Sequence, residues 1–330
     1  MGVTISLSDE SEWGKLVDAS PNTTIFHDLR WLQLAEKYSK TKLHLLSGKI
    51  GDELVGGFPI FTRRRAGLDI CLSPPPKTGI RYLGPITSIS TDYKQNKRER
   101  TYLDFIEGCL NHIDLVFSPD YTLISSTPDI HDIRSFKNCG YTVEPLFTYL
   151  IDTSLESNAL LASFSNSIRR DIKKADEKKL TFREGGEDEL LFVHSLMEKR
   201  YSEQGKRYPI PKQYLKDIWG VFGGNNIRVF VAENSDILTG IITVSYGRNI
   251  LFWSGLSNNS TAPPEVNSWV QWQIILWANK NNIHYYDMLG ANIPRLYEYK
   301  LKFSPSLSTH YTMTKKNLLG ALGEYLYKKL

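Results

Sequence analysis

The chain has 330 residues, of which 41% are hydrophobic and 23% are charged, and its formal net charge at pH 7 is +4. This length exceeds what one ordinary hydrophobic core organises, and it predicts two domains. The composition is typical of a globular protein. The mild positive charge does not argue for a dedicated nucleic-acid binder, although a local basic patch could still matter, and no DNA partner is expected.

The three cysteines, Cys71, Cys109 and Cys139, lie far apart and form no CxxC pair. This spacing argues against a zinc site and a disulfide framework, and it favours a reducing, cytoplasmic location. We therefore expect no bound metal. The opening residues MGVTISLSDE lack the pattern of a signal peptide, and no apolar stretch reaches the length of a membrane span.

The first half of the chain alternates between strand and helix patterns. Strands are predicted at 3–7, in LHLLSG, in ELVGGFPIFTRR, in YTLISS and in GYTVEPLFTYLID. Helices are predicted around 10–19, in HDLRWLQLAEKYSK, at 98–117 and at 130–139. Thr153 and Glu156 form a predicted capping box for the helix that ends at Phe164.

The segment 165–184, SNSIRRDIKKADEKKLTFRE, predicts an amphipathic helix with a basic face. One stripe, at spacings of three and four, carries Leu161, Phe164, Ile168, Ile172 and Ala175. The basic side chains point elsewhere: Arg169, Arg170, Lys173, Lys174, Lys178 and Lys179. Two interpretations stay open, a solvated helix surface and a site for an anionic substrate.

The second half contains the same kinds of element. Helices are predicted near 187–203, near 212–222, in SWVQWQIILWANKNN, at 293–303 and at 317–330. Strands are predicted in IRVFVAEN, ILTGIITVSY, ILFWSGLS, IHYYDMLG and STHYTMT. The closing helix is amphipathic, and we expect its apolar side to pack on the first domain, with peripheral membrane contact as the alternative.

The two halves repeat one another in the order of their elements. DELVG and DILTG each open a strand, YTLISS matches HYYDML, and the pair Phe136-Lys137 matches Tyr299-Lys300. A shared order of this kind indicates a tandem duplication. We therefore place the domains at 1–148 and 149–330, with the helix at 317–330 returning to the first.

This repeat resembles the GNAT acyltransferase domain, and its duplication resembles the FemABX-like aminoacyltransferases. Three segments carry the resemblance: GYTVEPLFTYLIDTS with FSNSIRRDIKKADEKKLTFREG, EDELLFVHSLMEKRYSEQGKRYPIPKQYL, and YYDMLGANIPRLYEYKLKFSP. The resemblance implies a mixed α/β (α+β) fold of two tandem GNAT-like domains. Each would be a mostly antiparallel sheet flanked by helices.

The chain departs from the family pattern in the segment LSNNSTAPPEVNSW. GNAT domains that use acetyl-CoA have a (Q/R)xxGx(G/A) loop there, whose backbone amides hold the pyrophosphate. The helical arm of some Fem enzymes is also missing. The donor therefore stays open between an aminoacyl-tRNA and an acyl-CoA thioester, and no bound cofactor is expected.

Two residues of the last carrier segment are the predicted catalytic candidates. The resemblance places Lys300 in the substrate channel, where an ammonium would steady a phosphate or a developing oxyanion. Asp287 ends a strand that should be buried, where it would accept a proton from the amine or cap the turn at Gly290. No GxSxG motif is present, so direct attack by the acceptor amine is the simpler mechanism.

The predicted substrate-binding residues are Arg170, Arg169, Asn166, Tyr299 and Trp253. We expect an N-acyl or aminoacyl transferase that acts, in a cleft between the domains, on an amine of a phosphate-bearing small-molecule or lipid-linked envelope or glycan precursor. The alternative is a non-catalytic GNAT-fold module that binds a nucleotide or RNA through its basic face.

Overall fold

The computed structural model describes residues 2–255 and 263–329. The chain forms two compact units, which we call unit 1 (Met1–Leu146 with His310–Leu330) and unit 2 (Phe147–Thr309). The last 21 residues thus belong to the first unit. No helix of the described segments is long and apolar enough to cross a membrane.

The strands, in chain order, are β1 (Thr4–Leu7), β2 (Lys42–Ile50), β3 (Glu53–Arg65), β4 (Leu68–Ser73), β5 (Ile86–Thr87), β6 (Tyr121–Ser125), β7 (Thr142–Asp152), β8 (Thr181–Gly185), β9 (Ile227–Glu233), β10 (Ile237–Tyr246), β11 (Asn249–Gly255), β12 (Tyr285–Asp287) and β13 (Ser306–Lys316).

The helices are α1 (Glu10–Ala19), α2 (Leu29–Ser39), α3 (Gln95–His112), α4 (Arg134–Asn138), α5 (Ser157–Ser163), α6 (Asn166–Glu177), α7 (Glu187–Glu203), α8 (Lys212–Phe222), α9 (Pro264–Lys280), α10 (Pro294–Leu301) and α11 (Leu318–Lys329). A 3₁₀ turn (Ile25–His27) precedes α2, and a π turn (Ile113–Phe117) follows α3.

Both units have the same order of strand pairing. In unit 1 the strands run β1-β2-β3-β4-β6-β13, and β4 with β6 is the parallel pair in an otherwise antiparallel series. In unit 2 they run β8-β9-β10-β11-β12-β7, and the corresponding pair, β11 with β12, is again parallel. The fold is therefore a tandem pair of mixed, mostly antiparallel α/β units.

The last strand of each unit comes from the other repeat. β7 follows the first repeat in sequence but pairs with β12 in unit 2. β13 follows the second repeat but pairs with β6 in unit 1. Each unit therefore depends on both halves of the sequence for a complete sheet.

The basic segment is helical only over α6, because residues 181–184 belong to strand β8 rather than to the predicted helix. Ser165 caps α6, because its hydroxyl accepts a hydrogen bond from the Ile168 amide at 3.4 Å. Phe164, Ile168, Ile172 and Ala175 are buried, and they belong to the core of unit 2. The arginines and lysines from Arg169 to Lys179 are exposed.

The predicted capping box at Thr153 and Glu156 is wrong. Glu156 is itself the cap of α5, and its carboxylate accepts from the Ala159 amide at 2.9 Å. The Thr153 hydroxyl donates instead to the Ile283 carbonyl at 2.6 Å. A contact between residues 130 positions apart takes precedence over the local pattern.

Candidate functional site

The candidate site of unit 2 lies where its parallel strand pair ends. Asn249–Leu251 of β11 pair with Tyr285–Asp287 of β12, and beyond this point β11 continues to Gly255 beside β10 only. Ligands of α/β sheets bind preferentially beyond the carboxyl ends of such strands. The predicted departure from the GNAT loop falls largely on residues 256–262, which lie outside the described residues.

Asp287 is the last residue of β12, and only 6% of it is exposed. Its Oδ1 atom accepts hydrogen bonds from the Thr148 hydroxyl and, at 2.7 Å, from the Leu289 amide. These are the bonds of a carboxylate that caps a turn. Of the two roles that the sequence leaves open for Asp287, this geometry matches capping.

The capped turn has an unusual backbone. Leu289 and Gly290 have φ angles of 55° and 51°, so two consecutive residues adopt the left-handed region. A leucine rarely adopts it, and such residues persist where the surroundings hold them. Lys300 supplies part of that hold, because its Nζ atom donates to the carbonyl oxygens of Leu289 at 2.5 Å and Gly290 at 3.2 Å.

The same turn is also fastened to β7. The amides of Met288 and Ala291 donate to the carbonyls of Tyr149 at 2.9 Å and Phe147 at 3.0 Å. Asn292 completes the attachment, because its side chain accepts from the Phe147 amide and donates to its carbonyl. The segment that carries Asp287 at one end is therefore rigidly positioned.

Sequence reasoning missed Thr148 and Asn292 as supports of this turn. Both contacts join residues more than 130 positions apart, Thr148 with Asp287 and Asn292 with Phe147. The local sequence indicates only the turn itself. In Asp-Met-Leu-Gly, Asp287 lies two residues before Leu289, and an Asp side chain at this spacing can accept a hydrogen bond from the Leu289 amide.

Tyr299 precedes Lys300 on α10 and points its hydroxyl into the protein. This hydroxyl is buried beside the Ser268 side chain, with which it makes at most a poorly aligned hydrogen bond. Burial raises the pKa of Tyr299 to about 12, and the carboxylate of Asp171 acts in the same direction. Tyr299 is therefore a neutral hydroxyl at physiological pH, and its ring packs against Phe303.

Trp253 is a buried residue of β11, with 1% of its surface exposed. The pairing of β10 with β11 shifts register between Ile242 and Thr243, and Trp253 is the extra residue on β11. Such bulges are common next to active sites, where they redirect a side chain. Trp253 lies two residues beyond Leu251, the partner of Asp287.

Asn166, Arg169 and Arg170 are exposed at the start of α6. The guanidinium of Arg169 donates to the Ala162 carbonyl at 3.3 Å and to the side chain of Asn166. Arg170 makes no side-chain hydrogen bond or ion pair with any described residue. A bond from the Ser165 amide to the Lys302 carbonyl, at 2.8 Å, ties the start of α6 to the end of α10.

The predicted residues therefore fall into two groups. Asp287 and Lys300 meet at one turn, and Tyr299 and Trp253 lie in the adjoining elements. The arginines and Asn166 form an exposed group at the start of α6. No hydrogen bond or ion pair joins the two groups directly in the described part of unit 2.

Unit 1 lacks the arrangement that surrounds Asp287. The residue that aligns with Asp287 is the buried Ile124, and the one that aligns with Lys300 is the exposed Lys137. The end of its parallel pair is filled by the chain itself. The Leu83 amide bonds to the Ser125 carbonyl at 3.0 Å, and the Gly84 amide bonds to the Ser73 hydroxyl at 3.1 Å.

Within residues 2–255 and 263–329, no cluster of three or more His, Cys, Asp or Glu side chains is arranged to hold a metal ion.

Residues 162–301 match the model of the acetyltransferase (GNAT) domain family. The sequence has no match among curated proteins. The structure is similar to that of FemX, with a TM-score of 0.70 and 13% identity over 93% of this chain and 96% of that one.

Two other solved structures have the same fold. One is the C-terminal domain of a putative lysylphosphatidylglycerol synthetase from Agrobacterium fabrum, with a TM-score of 0.58 and 12% identity over 96% of each chain. The other is a tandem GNAT protein of the clavulanic acid pathway, with a TM-score of 0.53 and 9% identity over 95% of this chain and 98% of that one. Residues 162–301 thus match the acetyltransferase (GNAT) domain, and the whole chain has the fold of FemX and of the tandem GNAT protein.

Proposed function

We propose that unit 2 transfers an acyl or aminoacyl group to an amine of a phosphate-bearing envelope or glycan precursor. The observation that supports this proposal best is the turn at Leu289. Two charged side chains hold it at the end of a parallel strand pair, inside the segment that matches the GNAT model.

The reaction is a direct acyl transfer. The neutral amine of the acceptor attacks the carbonyl carbon of a thioester or an aminoacyl ester, and a tetrahedral oxyanion forms. The C–S or C–O bond then breaks, the amine loses a proton, and the departing sulfur or oxygen gains one. The product is an amide, and no external reductant or oxidant is needed.

Lys300 is the proposed catalytic residue. Its ammonium lies half-buried beside the carbonyls of Leu289 and Gly290. A positive charge fixed in this way stabilises a developing oxyanion more than a charge in water does, because the surrounding groups need little reorganisation during the reaction. Asp287 is a positioning residue in this proposal, since the bonds it accepts fix the turn that Lys300 also holds.

Arg169 and Arg170 are the proposed contacts for the acceptor's phosphate. Guanidinium groups bind phosphate through paired N–H donors, and Arg170 has no competing bond within the described segments. A lipid-linked acceptor agrees with the name of one similar structure, the C-terminal domain of a putative lysylphosphatidylglycerol synthetase. The donor is either an acyl-CoA or an aminoacyl-tRNA.

Radiolabelled donors test this proposal. The purified chain would be incubated with acetyl-CoA in one arm and with a mixed aminoacyl-tRNA pool in the other, each with amine-bearing phospholipids and nucleotide-linked amino sugars. The proposal predicts donor-dependent transfer of label to one acceptor class, with release of CoA or tRNA. A protein that only binds would retain donor without releasing either product, and that result would contradict the proposal.

A further inference from the structure

The last helix of the chain is attached to unit 1 through its glycines. A Cβ atom at Gly320 would lie 2.0 Å from the Asp120 carbonyl oxygen, and one at Gly323 would lie 2.3 Å from Leu68. The Asn317 side chain fixes the start of the helix, because it donates to the Asp120 carboxylate at 2.8 Å and accepts from the Gly320 amide at 2.9 Å. Only residues without a side chain permit this approach.

The other faces of α11 therefore point away from the rest of unit 1, and they carry large apolar side chains. Leu318 is 90% exposed. More than half of each of the others is exposed too: Leu319, Leu322, Tyr325 and Leu326. The sequence predicts burial for this side of the helix, and the structure corrects that expectation. Contiguous apolar surface of this kind marks an interaction site.

A basic cavity of about 410 Å³ adjoins the same helix. Its lining contains five cationic residues and no acidic one: Lys40, Arg63, Arg64, Arg65 and Lys77. Tyr327 of α11 also lines it, and its ring centroid is 5.8 Å from the guanidinium carbon of Arg65. Tyr327 thus places the C-terminal end of α11 at the rim of the cavity.

The cations of this cavity have little internal neutralisation. The Nε atom of Arg63 is buried and has no hydrogen-bond partner within the described segments. The carboxylate of Asp69 is 3.9 Å from Arg64, and both side chains are largely open to water. Among the described residues, Asp69 is thus the one carboxylate within ion-pair distance of these five cations, and an anion in the cavity would find most of the positive charge unneutralised.

We propose that this face of unit 1 docks onto an anionic phospholipid bilayer. Lipid phosphates enter the basic cavity, and the leucines of α11 enter the boundary between headgroups and acyl chains. Interfacial helices combine an apolar face with neighbouring cations in this manner. RNA would use the cations but not the leucines, so the bilayer is the occupant that accounts for both.

Vesicle flotation of the full chain tests the docking. Binding is expected to vesicles of mixed phosphatidylglycerol and phosphatidylcholine, and not to phosphatidylcholine alone. The double variant Arg64→Gln/Arg65→Gln should bind about 20-fold more weakly, since each cation near an anionic surface contributes about fivefold. Leu318→Ser/Leu322→Ser should weaken binding by more than about tenfold, because apolar area is lost.

The matched control is Lys15→Gln/Lys94→Gln, which removes the same charge from exposed positions of unit 1 outside the cavity. It should bind as the unaltered chain does, and circular dichroism would establish that all variants are folded. Two further experiments add a competitor, either inorganic phosphate at millimolar concentration or tRNA at micromolar concentration. Neither competitor should displace the protein from the vesicles.

Three results would overturn the proposal. They are equal binding to both kinds of vesicle, unchanged binding of the folded arginine and leucine variants, and displacement by tRNA or phosphate. The last would assign the cavity to RNA or to a free anion instead. This test is independent of acyl transfer, because flotation requires neither an acyl donor nor an acceptor amine.

Discussion

Asp287 and Lys300 hold opposite sides of one residue. The Asp287 carboxylate accepts a hydrogen bond from the Leu289 amide at 2.7 Å, and the Lys300 ammonium donates to the Leu289 carbonyl at 2.5 Å. Leu289 has a φ of 55°, which a leucine rarely adopts unless its surroundings impose it. The pair therefore maintains a constrained backbone at the end of β12.

Replacement of Asp287 distinguishes positioning from proton transfer. Both of the described bonds go to Oδ1, so Asp287→Asn keeps an acceptor for Thr148 and Leu289, whereas Asp287→Ala leaves a buried amide unpaired. We expect Asp287→Asn to retain kcat within about tenfold, and Asp287→Ala to lose about 1–3 kcal/mol of unfolding free energy with a larger loss of kcat. Equal inactivation of two folded variants would instead identify Asp287 as a base.

Arg170→Ala should raise the KM for a phosphate-bearing acceptor about tenfold and leave kcat nearly unchanged. The reason is that a charged hydrogen bond to a remote phosphate contributes equally to the ground state and the transition state, at about 1.5–3 kcal/mol. Lys179→Ala is the control, because Lys179 is an exposed cation beyond the end of α6. An equal loss with an acceptor that lacks phosphate would contradict the assignment.

The stability of unit 1 should fall in mild acid. Burial lowers the pKa of His27 to about 4 from its ordinary 6.5, so the unfolded chain takes up the proton first as pH falls. Neutral, buried His27 makes its full contribution to the free energy of unfolding above pH 6.5. This contribution is lost between pH 6.5 and pH 4, with a slope of up to about 1.4 kcal/mol per pH unit. Burial lowers the pKa of His310 in the same way.

Urea unfolding at pH 7 and pH 5 measures this effect. The stability of His27→Gln should have a shallower pH dependence than that of the unaltered chain. Its stability at pH 7 should be lower, because the bonds to Thr24 and Gly84 are lost. An identical slope in both proteins would show that His27 is not responsible.

Two glycine replacements should act in opposite directions. Gly14 lies in α1 with no atom near its missing Cβ, so Gly14→Ala should stabilise by about 0.5–1 kcal/mol. Gly320→Ala should destabilise by about 1–3 kcal/mol, because its Cβ meets the Asp120 carbonyl. Thermal unfolding of both variants provides the comparison, and stabilisation by Gly320→Ala would show that the glycine contact is not tight.

Sequence patterns predicted most of the elements and their repeated order, because hydrophobic periodicity and turn residues are local signals. They missed β4 (Leu68–Ser73) and placed residues 181–184 of β8 in a helix. The strand exchange between β7 and β13 has no such signal, since either strand could pair within its own repeat. The hydrogen bond from Thr148 to Asp287 also has no local sequence signal, because the two residues lie far apart in the chain. The roles of Lys300, Asp287 and the α6 arginines remain predictions.

The closing helix shows a second limit of pattern reasoning. Its leucines predicted a buried face, because apolar side chains usually mark the side that packs. The side that packs instead carries Gly320 and Gly323, which have no hydrophobic side chain to register in such a pattern. Close backbone approach therefore decided the orientation of α11, and the leucines were left outside.

Single-turnover transfer by Lys300→Met tests the central claim most directly. Methionine keeps the apolar stem and removes the ammonium, and Lys137→Met makes the same change at the aligned, exposed lysine of unit 1. We predict that Lys300→Met slows the chemical step about 100-fold or more while donor binding persists, and that Lys137→Met reacts at the unaltered rate. A folded Lys300→Met protein that transfers the acyl group at full rate would contradict the account.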